Sequence, residues 1–368
     1  MWLLISTTLV SLLLVVYLHC SSEMWLLIST TLASLLLVVC LFFIILHRAT
    51  LRFCASSKPF RVLRTGEMDC EIRPPADGVF HVLLFKWQLF GSGWAYQRFL
   101  LWLNNKYSDW DTPFVQLGLD PETEVRKYCR TYNVQQEPWI WEKAPPQFTT
   151  MNDWFTRKFA PAHAPEGHLG TADVLSPATA VVTPFESVLE MPKVVKNERF
   201  TIADVGIRDY REFLPHPCAI LYLAPSDYHC YHSPITGTIT SCRMCGLETH
   251  SASVKTYIYE HINILAVNRR AVVTIEQPAM SSSAAPLKVA LVIIGGVTVD
   301  SIRLEPSVRE GADVERGALL GCFARGGSSI ALFFNSDVAL TDECAALQTE
   351  GVDFKLDAGA SLGNVVRS

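Results

Sequence analysis

The sequence is poor in charge, and this shortage argues against a role in nucleic-acid binding. Charged residues make up 18% of the 368 residues, and the formal net charge at pH 7 is −5. A protein that binds nucleic acid through its phosphates needs a basic surface, which this balance does not supply. We therefore predict no nucleic-acid partner.

Cysteine-rich motifs are scarce as well. The 11 cysteines are scattered singly except for Cys242 and Cys245, which form a CxxC pair. This is not the dense pattern of a small secreted disulfide scaffold, so we expect most of the thiols to be reduced. A tetrahedral zinc site made from the CxxC pair with His229 and His232 is an open alternative. Our main prediction contains no metal.

Residues 1–47 lack lysine and arginine altogether and contain one acid, Glu23. They are an internal duplication, because the segment that begins at Met1 returns at Met24, and the second copy stays apolar to Leu46. That length matches a bilayer-spanning helix of roughly 20 residues. We therefore predict a membrane anchor with a transmembrane segment. The first copy is a second span, a signal-like segment, or an extension upstream of a chain that starts at Met24.

Basic residues follow the second apolar copy and are not interrupted by an acid: Arg48, Arg52, Lys58, Arg61 and Arg64. The positive-inside tendency places this side in the cytoplasm or an equivalent compartment. Because no basic residue precedes Arg48, the sequence does not show the pattern of an arginine-rich transit peptide. We expect a membrane-anchored protein of the mitochondrial inner membrane or of an endomembrane such as the endoplasmic reticulum or Golgi, and the sequence does not choose between them.

The pattern of apolar residues changes along the chain. Residues 48–150 form a basic linker and a helical region, with a helix predicted over 122–132, and a second helix over 152–159 is predicted to be capped by Asn152 or Asp153. From about residue 174, short β-branched runs alternate with proline and glycine, without a parallel βαβ rhythm. The runs are 181–182, 219–223, 271–275, 289–294 and 330–334. We predict an α+β fold with a β-rich single catalytic domain over 151–368 and a buried central strand at the last run.

Three segments carry the chemistry: residues 151–158 (MNDWFTRK), 224–237 (APSDYHCYHSPITG) and 323–334 (FARGGSSIALFF). Taken alone, a Gly-Gly-Ser-Ser run is typical of a turn. In this order, with the Gly-Ser pair near the C-terminus, the three segments closely resemble phosphatidylserine decarboxylases, which make their own pyruvoyl cofactor. The resemblance is strong over about residues 150–335 and does not cover the N-terminus.

The resemblance implies autocatalytic cleavage of a zymogen between Gly327 and Ser328. The Ser328 hydroxyl attacks the Gly327 carbonyl, the amide becomes an ester, and elimination leaves a pyruvoyl group at Ser328. The partners would be the protein's own β chain (1–327) and α chain (328–368), phosphatidylserine, and membrane lipid, and a homodimer remains open. The implied reaction is decarboxylation of phosphatidylserine to phosphatidylethanolamine and CO₂ in phospholipid biosynthesis, without added metal.

Two histidines are the candidate proton-transfer groups. A serine hydroxyl is a poor nucleophile unless a base takes its proton. Residues 228–234 match the family motif Tyr-His-x-x-His-x-Pro. By resemblance, His232 is the base for self-cleavage and His229 belongs to the decarboxylation site.

The sequence departs from the family at the acid that orients the base. The family has Pro-Ala-Asp-Gly where residues 176–180 are SPATA, so Thr179 replaces the aspartate. A threonine can hydrogen-bond an imidazole but cannot stabilise an imidazolium by charge. Asp77, Asp173 and Asp227 are the candidate substitutes.

Two alternative functions stay open. The Thr179 replacement is compatible with a catalytically degenerate family member that acts as a membrane-associated binding protein. A pyruvoyl decarboxylase of a free amino acid is the other alternative, since no residue recognisably contacts acyl chains.

Overall fold

In the computed structural model, the description covers ten ranges and one isolated residue: 60–63, 65–69, 110–134, 140–190, 202–247, 264–279, 285–296, 301–324, 328–350, 353–366 and Ser34. The elements below belong to one compact unit, which comprises Ser57–Pro74 and Phe85–Ser368. The second unit, Met1–Ser56 with Pro75–Leu84, is described at Ser34 only.

The predicted anchor at residues 1–47 therefore lies outside the described residues, apart from Ser34. Within the described ranges, no helix has the length and apolar character needed to cross a bilayer. Asp77 is also outside the description.

The described residues form strands of two to nine residues: β1 (Phe60–Val62), β2 (Met68–Asp69), β3 (Val174–Leu175), β4 (Ala180–Phe185), β5 (Cys218–Leu223), β6 (Cys230–His232), β7 (Gly237–Cys245), β8 (Arg270–Gln277), β9 (Leu287–Ile294), β10 (Ser301–Leu304), β11 (Asp313–Val314), β12 (Leu319–Ala324), β13 (Ser328–Phe334), β14 (Val338–Leu340), β15 (Asp353–Leu356) and β16 (Ser361–Val365).

The described helices are few and short. The α-helices are α1 (Pro121–Tyr132), α2 (Met151–Phe155), α3 (Ile202–Val205), α4 (Ile264–Val267) and α5 (Asp342–Thr349). Single 3₁₀ turns are Pro145–Gln147, Pro161–His163, Pro165–Gly167, Val188–Glu190 and Tyr210–Phe213.

One large sheet dominates the domain. Its ten strands have the order β11-β7-β8-β9-β13-β5-β4-β15-β1-β2, and two three-stranded sheets have the orders β10-β12-β6 and β14-β16-β3. Neighbouring strands are antiparallel apart from β1 and β15. The predicted β-rich fold is confirmed, and each of the five predicted apolar runs lies in a strand.

The prediction of a buried central strand at residues 330–334 is confirmed by β13, which pairs with β5 on one side and β9 on the other. Ile330, Leu332 and Phe334 belong to one hydrophobic cluster, whereas Ala331 and Phe333 belong to a second. Side chains alternate between the faces of a strand, so β13 is covered on both faces. This double burial explains why the strand is apolar without alternation.

The two predicted helices are present, with a correction to the second. Helix α1 is capped by Asp120, whose Oδ2 accepts a hydrogen bond from Thr123 N at 2.8 Å. Helix α2 is shorter than predicted, and its predicted cap at Asn152 or Asp153 is wrong. The backbone of Thr150 is extended, and its hydroxyl accepts a hydrogen bond from Asp153 N at 2.9 Å. A threonine at this position satisfies an amide that the helix itself leaves unpaired.

Helices α1 and α2 cover the histidine-bearing strand. Their buried side chains, including Val125, Trp154 and Phe155, form a third cluster together with Tyr228 and Cys230. Helices α1 and α2 therefore close one side of the candidate site.

Candidate active site

The predicted cleavage junction follows strand β12. This strand pairs with β6, which ends at His232, and Phe323 N donates to the His229 carbonyl at 2.8 Å. A disulfide between Cys230 and Cys322 joins the same two strands. Strand β12 is therefore fixed beside both histidines.

Ser328 is the first residue of β13. It lies in register with Leu223, the last residue of β5, and the chain after Leu223 continues through residues 224–227 to His229. Gly327 and the two residues before it lie outside the description. The structure therefore places Ser328 where the histidine segment leaves the large sheet, but it does not describe the scissile bond.

The Ser328 side chain is buried and unpaired. Its residue is 0% exposed, and within the described residues its Oγ has no hydrogen-bond partner. An unpaired buried polar group costs about 1–3 kcal/mol. Native proteins keep few such groups, and a catalytic role is one recognised explanation.

His229 is held as a neutral imidazole. Its Nδ1 donates to the Asp227 carbonyl at 2.9 Å, because a carbonyl oxygen can only accept. The Nε2 atom has no partner among the described residues, and the Phe155 ring lies 4.0 Å from the imidazole, centroid to centroid. Burial above all, with the positive charges of Arg157 and Lys355, lowers the pKa of His229 to about 3.

His232 has partners at both ring nitrogens. Its Nδ1 donates to the Gly317 carbonyl at 2.7 Å, and its Nε2 accepts from the Tyr228 hydroxyl at 3.1 Å. Glu166 Oε1 is 3.4 Å from the same Nδ1. The backbone amide of His232 donates to the Pro177 carbonyl at 2.7 Å, so the ring is fixed from several directions.

Thr179, at the position of the family's aspartate, is buried and hydrogen-bonded to backbone. Its Oγ1 accepts from Ala358 N at 3.1 Å. It lies two residues after Pro177, which contacts His232. The segment is thus beside the base, while the threonine hydroxyl supports the loop after β15.

Two of the candidate substitute aspartates, Asp227 and Asp173, make structural contacts. Asp227 accepts from Ala224 N at 2.8 Å and forms a buried ion pair with Lys355. Asp173 accepts from Val365 N at 3.1 Å at the edge of β16. Both carboxylates therefore hold the fold around the site.

Arg157 shows what the first motif, MNDWFTRK, does in the folded chain. The guanidinium lies between Trp141 and Trp154, 4.5 Å from each ring centroid. Its Nη2 donates to the carbonyls of Ser226 and Asp227 at 3.1 and 3.0 Å. Arg157 of the first motif thus stabilises the turn that precedes His229.

The zinc alternative is not assembled in the structure. Across the described ranges, no group of three or more His, Cys, Asp or Glu residues could hold a metal ion. Cys242 and Cys245 are free thiols on β7 in the large sheet, whereas His232 is on β6 in another sheet. Cys242 Sγ instead donates to the Val308 carbonyl at 3.6 Å.

Sequence reasoning missed Glu166 and the Gly317 carbonyl. Glu166 lies in the short 3₁₀ turn Pro165–Gly167 and belongs to none of the three motif segments. A backbone carbonyl leaves no signature in a sequence. Only the folded chain brings these two acceptors to His232.

Comparison with known proteins agrees with the motifs. A sequence model of the family described as phosphatidylserine decarboxylase matches residues 151–364. The chain is 27% identical over 230 residues to phosphatidylserine decarboxylase proenzyme 2 of Komagataella phaffii, which covers 59% of this chain and 22% of that protein. It is 28% identical over 223 residues to proenzyme 2 of Saccharomyces cerevisiae, covering 59% of this chain and 19% of the relative.

A bacterial relative is matched over more of its length. The chain is 29% identical over 224 residues to the phosphatidylserine decarboxylase proenzyme of Chlamydia muridarum, which covers 59% of this chain and 70% of the relative. The chain thus spans about a fifth of the length of the two yeast proteins. The family match includes His229, His232, Thr179 and Ser328. It extends over more than half of the sequence. The chain belongs to the phosphatidylserine decarboxylase family.

Proposed function

We propose that the chain cleaves itself between Gly327 and Ser328 and then decarboxylates phosphatidylserine to phosphatidylethanolamine and CO₂. The observation that carries this proposal is the buried Ser328 hydroxyl at the start of a central strand, which has no hydrogen-bond partner among the described residues. Membership of the family and the adjacent histidine segment support it.

The atoms of the self-cleavage reaction balance when water is the only added reactant. In the proposed step, His232 Nε2 exchanges the Tyr228 hydroxyl for that of Ser328 and takes its proton, and Ser328 Oγ adds to the Gly327 carbonyl. His232 then returns the proton to the departing amide nitrogen, which leaves an ester. Loss of the Ser328 α-proton then expels the Gly327 carboxylate. The dehydroalanine at position 328 takes up water and releases ammonia, which leaves the pyruvoyl group.

The surroundings of Ser328 fit a pyruvoyl group. The position is fully buried, and elimination would carry Oγ away in the Gly327 carboxylate and leave a methyl group at Cβ, so the side chain would no longer contain a buried polar atom that lacks a partner among the described residues. When present, this group supplies an electrophilic carbonyl that captures the substrate amine and accepts the electrons released with CO₂.

His229 has the properties of a proton acceptor in the decarboxylation site. Its Nδ1–H is committed to the Asp227 carbonyl, so the Nε2 lone pair is directed away from that bond and has no partner among the described residues. The lowered pKa of His229, about 3, keeps the ring uncharged at neutral pH. Such a ring can accept a hydrogen bond from the substrate or take up a proton at Nε2.

The fold supports retention of the α chain after cleavage. This chain would begin with β13, which pairs with β5 and β9 of the β chain. Farther along, β15 pairs with β4 and β1, and β16 pairs with β3. Backbone pairing in two sheets would therefore hold the two chains together without a covalent bond.

We also propose that residues 24–46 anchor the protein in a membrane, of the mitochondrion or of an endomembrane. The support is the uninterrupted apolar sequence and its length. Alkaline carbonate should leave the protein in the membrane pellet, and detergent should release it. Release by carbonate would contradict the anchor.

The decisive experiment is denaturing electrophoresis with mass spectrometry of the C-terminal fragment. The wild-type protein should give a fragment that begins with a pyruvoyl group at position 328, and it should release CO₂ from phosphatidylserine. Ser328→Ala should remain a single intact chain. The matched control is Ser329→Ala, which changes the neighbouring buried serine and should still be cut.

Other results would favour the alternatives. An intact wild-type chain with an unmodified Ser328 would support the degenerate, membrane-associated binding protein, for which the backbone-bonded Thr179 hydroxyl is the structural support. A cleaved chain that releases CO₂ from a free amino acid but not from phosphatidylserine would indicate an amino-acid decarboxylase.

A further inference from the structure

We propose that Glu166 is the positioning residue for His232 and takes the part that the family's aspartate would play at position 179. The proposal rests on the proposed self-cleavage, in which His232 is the base. Its structural basis is the contact between Glu166 Oε1 and His232 Nδ1, at 3.4 Å.

The nitrogen that Glu166 approaches is the correct one for this role. His232 Nε2 points toward the Tyr228 hydroxyl, and Nδ1 is on the opposite side of the ring. An acid at Nδ1 fixes the tautomer that leaves Nε2 as the base, and its charge stabilises the imidazolium that forms. The Gly317 carbonyl at 2.7 Å can fix the tautomer but carries no net charge.

The contact also affects the carboxyl group. The hydrogen bond from His232 is the main reason why the pKa of Glu166 lies below its usual value, although partial burial opposes this effect. Glu166 is therefore ionised at neutral pH. The charged and titratable side chains that act on this pair are Tyr228 at Nε2 and Lys158 on the Glu166 side.

The fold holds Glu166 in place through two turns. A Cβ at Gly317 would lie 2.5 Å from Leu169 Cδ2, so the turn that carries the Gly317 carbonyl packs against the segment that follows Glu166. A Cβ at Gly359 would lie 3.2 Å from Pro165 Cβ and 3.5 Å from Leu169 Cδ2. The segment that carries Glu166 thus packs against both the Gly317 turn and the loop after β15.

Thr179 contributes to this arrangement indirectly. Its hydroxyl accepts from Ala358 N, and Ala358 precedes the glycine that packs against Pro165. The residue at the family's aspartate position therefore supports the loop on which the Glu166 turn rests. In this chain the carboxylate is on another segment, and the residue at the family position has a structural role.

The size of the effect is set by exposure. The Glu166 side chain is 45% exposed, so water screens its charge more than that of a buried triad aspartate. Loss of such an aspartate costs about 10⁴-fold in the serine-protease example. For Glu166→Gln we expect self-cleavage to slow by about 10- to 100-fold, with unchanged thermal unfolding.

The test measures the rate of self-cleavage in variants of the full chain. Glu166→Gln and Glu166→Asn should both be slow, while Glu166→Asp, which keeps the charge on the same skeleton as the asparagine, should be faster than Glu166→Asn. Thr179→Asp should restore the rate in the Glu166→Gln background, because it returns a carboxylate to the family position. The control Glu186→Gln, at an exposed site after β4, should leave the rate unchanged.

The outcomes separate this proposal from the function on which it rests. If the wild-type chain is cut and Glu166→Gln is cut equally fast, Glu166 has no such role and self-cleavage stands. If Glu166→Gln does not fold, the Asp and Asn variants decide, and equal rates in these two overturn the proposal. If the wild-type chain is never cut, both the function and this assignment fail.

Discussion

His229 and His232 lie three residues apart, and both are buried, yet their surroundings differ. His229 lies against Phe155 with one ring nitrogen unpaired among the described residues, near the cationic side chains of Arg157 and Lys355. His232 has both nitrogens engaged and a carboxylate nearby. One environment disfavours the imidazolium, and the other contains a group that stabilises it.

Under the proposed function, this difference would let one short motif supply two kinds of proton transfer. A base that must hold a full charge during cleavage needs an anion close to it. A ring that exchanges hydrogen bonds and transient protons with the substrate can be uncharged between these events. His229 and His232 are chemically the same side chain, so only their surroundings could give them different roles.

The largest expected effect comes from removing His232, the proposed base for self-cleavage. His232→Ala should reduce self-cleavage by about 10⁴-fold or more, since the serine then has no base. The measurement is the amount of C-terminal fragment over time on a denaturing gel. His163→Ala, at an exposed histidine, is the control. Normal processing of His232→Ala would refute the assignment of the base.

Removal of the neutral histidine should affect a different step. His229→Asn should still be cut at close to the wild-type rate but should lose about 10²- to 10⁴-fold in CO₂ release, the range typical of a lost general acid–base group. Both readouts are taken on the same preparation. An equal loss in cleavage and decarboxylation would show that the two histidines do not divide the work.

The support beneath His229 can be tested through stability. Asp227→Asn leaves Lys355 buried beside a neutral partner and should lower the free energy of unfolding by about 3–5 kcal/mol. Chemical denaturation in a Ser328→Ala background keeps the protein a single chain. The control is Asp337→Asn, which breaks an exposed pair with His216 and should cost less than about 1 kcal/mol. Equal effects of the two changes would argue against a buried, structural ion pair.

The smallest expected effect is the pH dependence caused by His229. Its pKa in the folded protein, about 3, is below the unfolded value of about 6.5, so the unfolded chain binds more protons between these values. Stability should therefore fall as the pH drops below about 6.5, by roughly 1.4 kcal/mol per pH unit from this residue. In the uncleaved Ser328→Ala background, His229→Asn should reduce the loss between pH 6.5 and 5 by about 2 kcal/mol. An unchanged pH profile would contradict the neutral, buried state.

Much of the fold was predictable because five of its strands contain short apolar, β-branched runs that are bounded by proline and glycine. The run at residues 330–334 indicated a strand covered on both faces, and β13 has that environment. The cap of α2 was less predictable, because Thr150, Asn152 and Asp153 all suit a cap and only the backbone conformation selects Thr150.

The candidate site was predictable where a motif encoded it and not where the fold assembled it. His229, His232 and Ser328 come from recognisable segments. Glu166 does not, because its approach to His232 depends on packing of Leu169 and Pro165 against turns that are distant in sequence. Local sequence does not report such contacts.

The disulfide between Cys230 and Cys322 lies entirely on the N-terminal side of the junction. The proposed α chain carries Cys344, a buried free thiol, so the disulfide would not tie the two cleavage products together. Cleavage would then change the molecularity of refolding: one chain folds in a first-order process, whereas two separated chains must meet again at a rate that depends on dilution. The lifetime of the processed protein would then depend on slow dissociation of its two chains more than on an equilibrium between folded and unfolded states. Its unfolding would be irreversible.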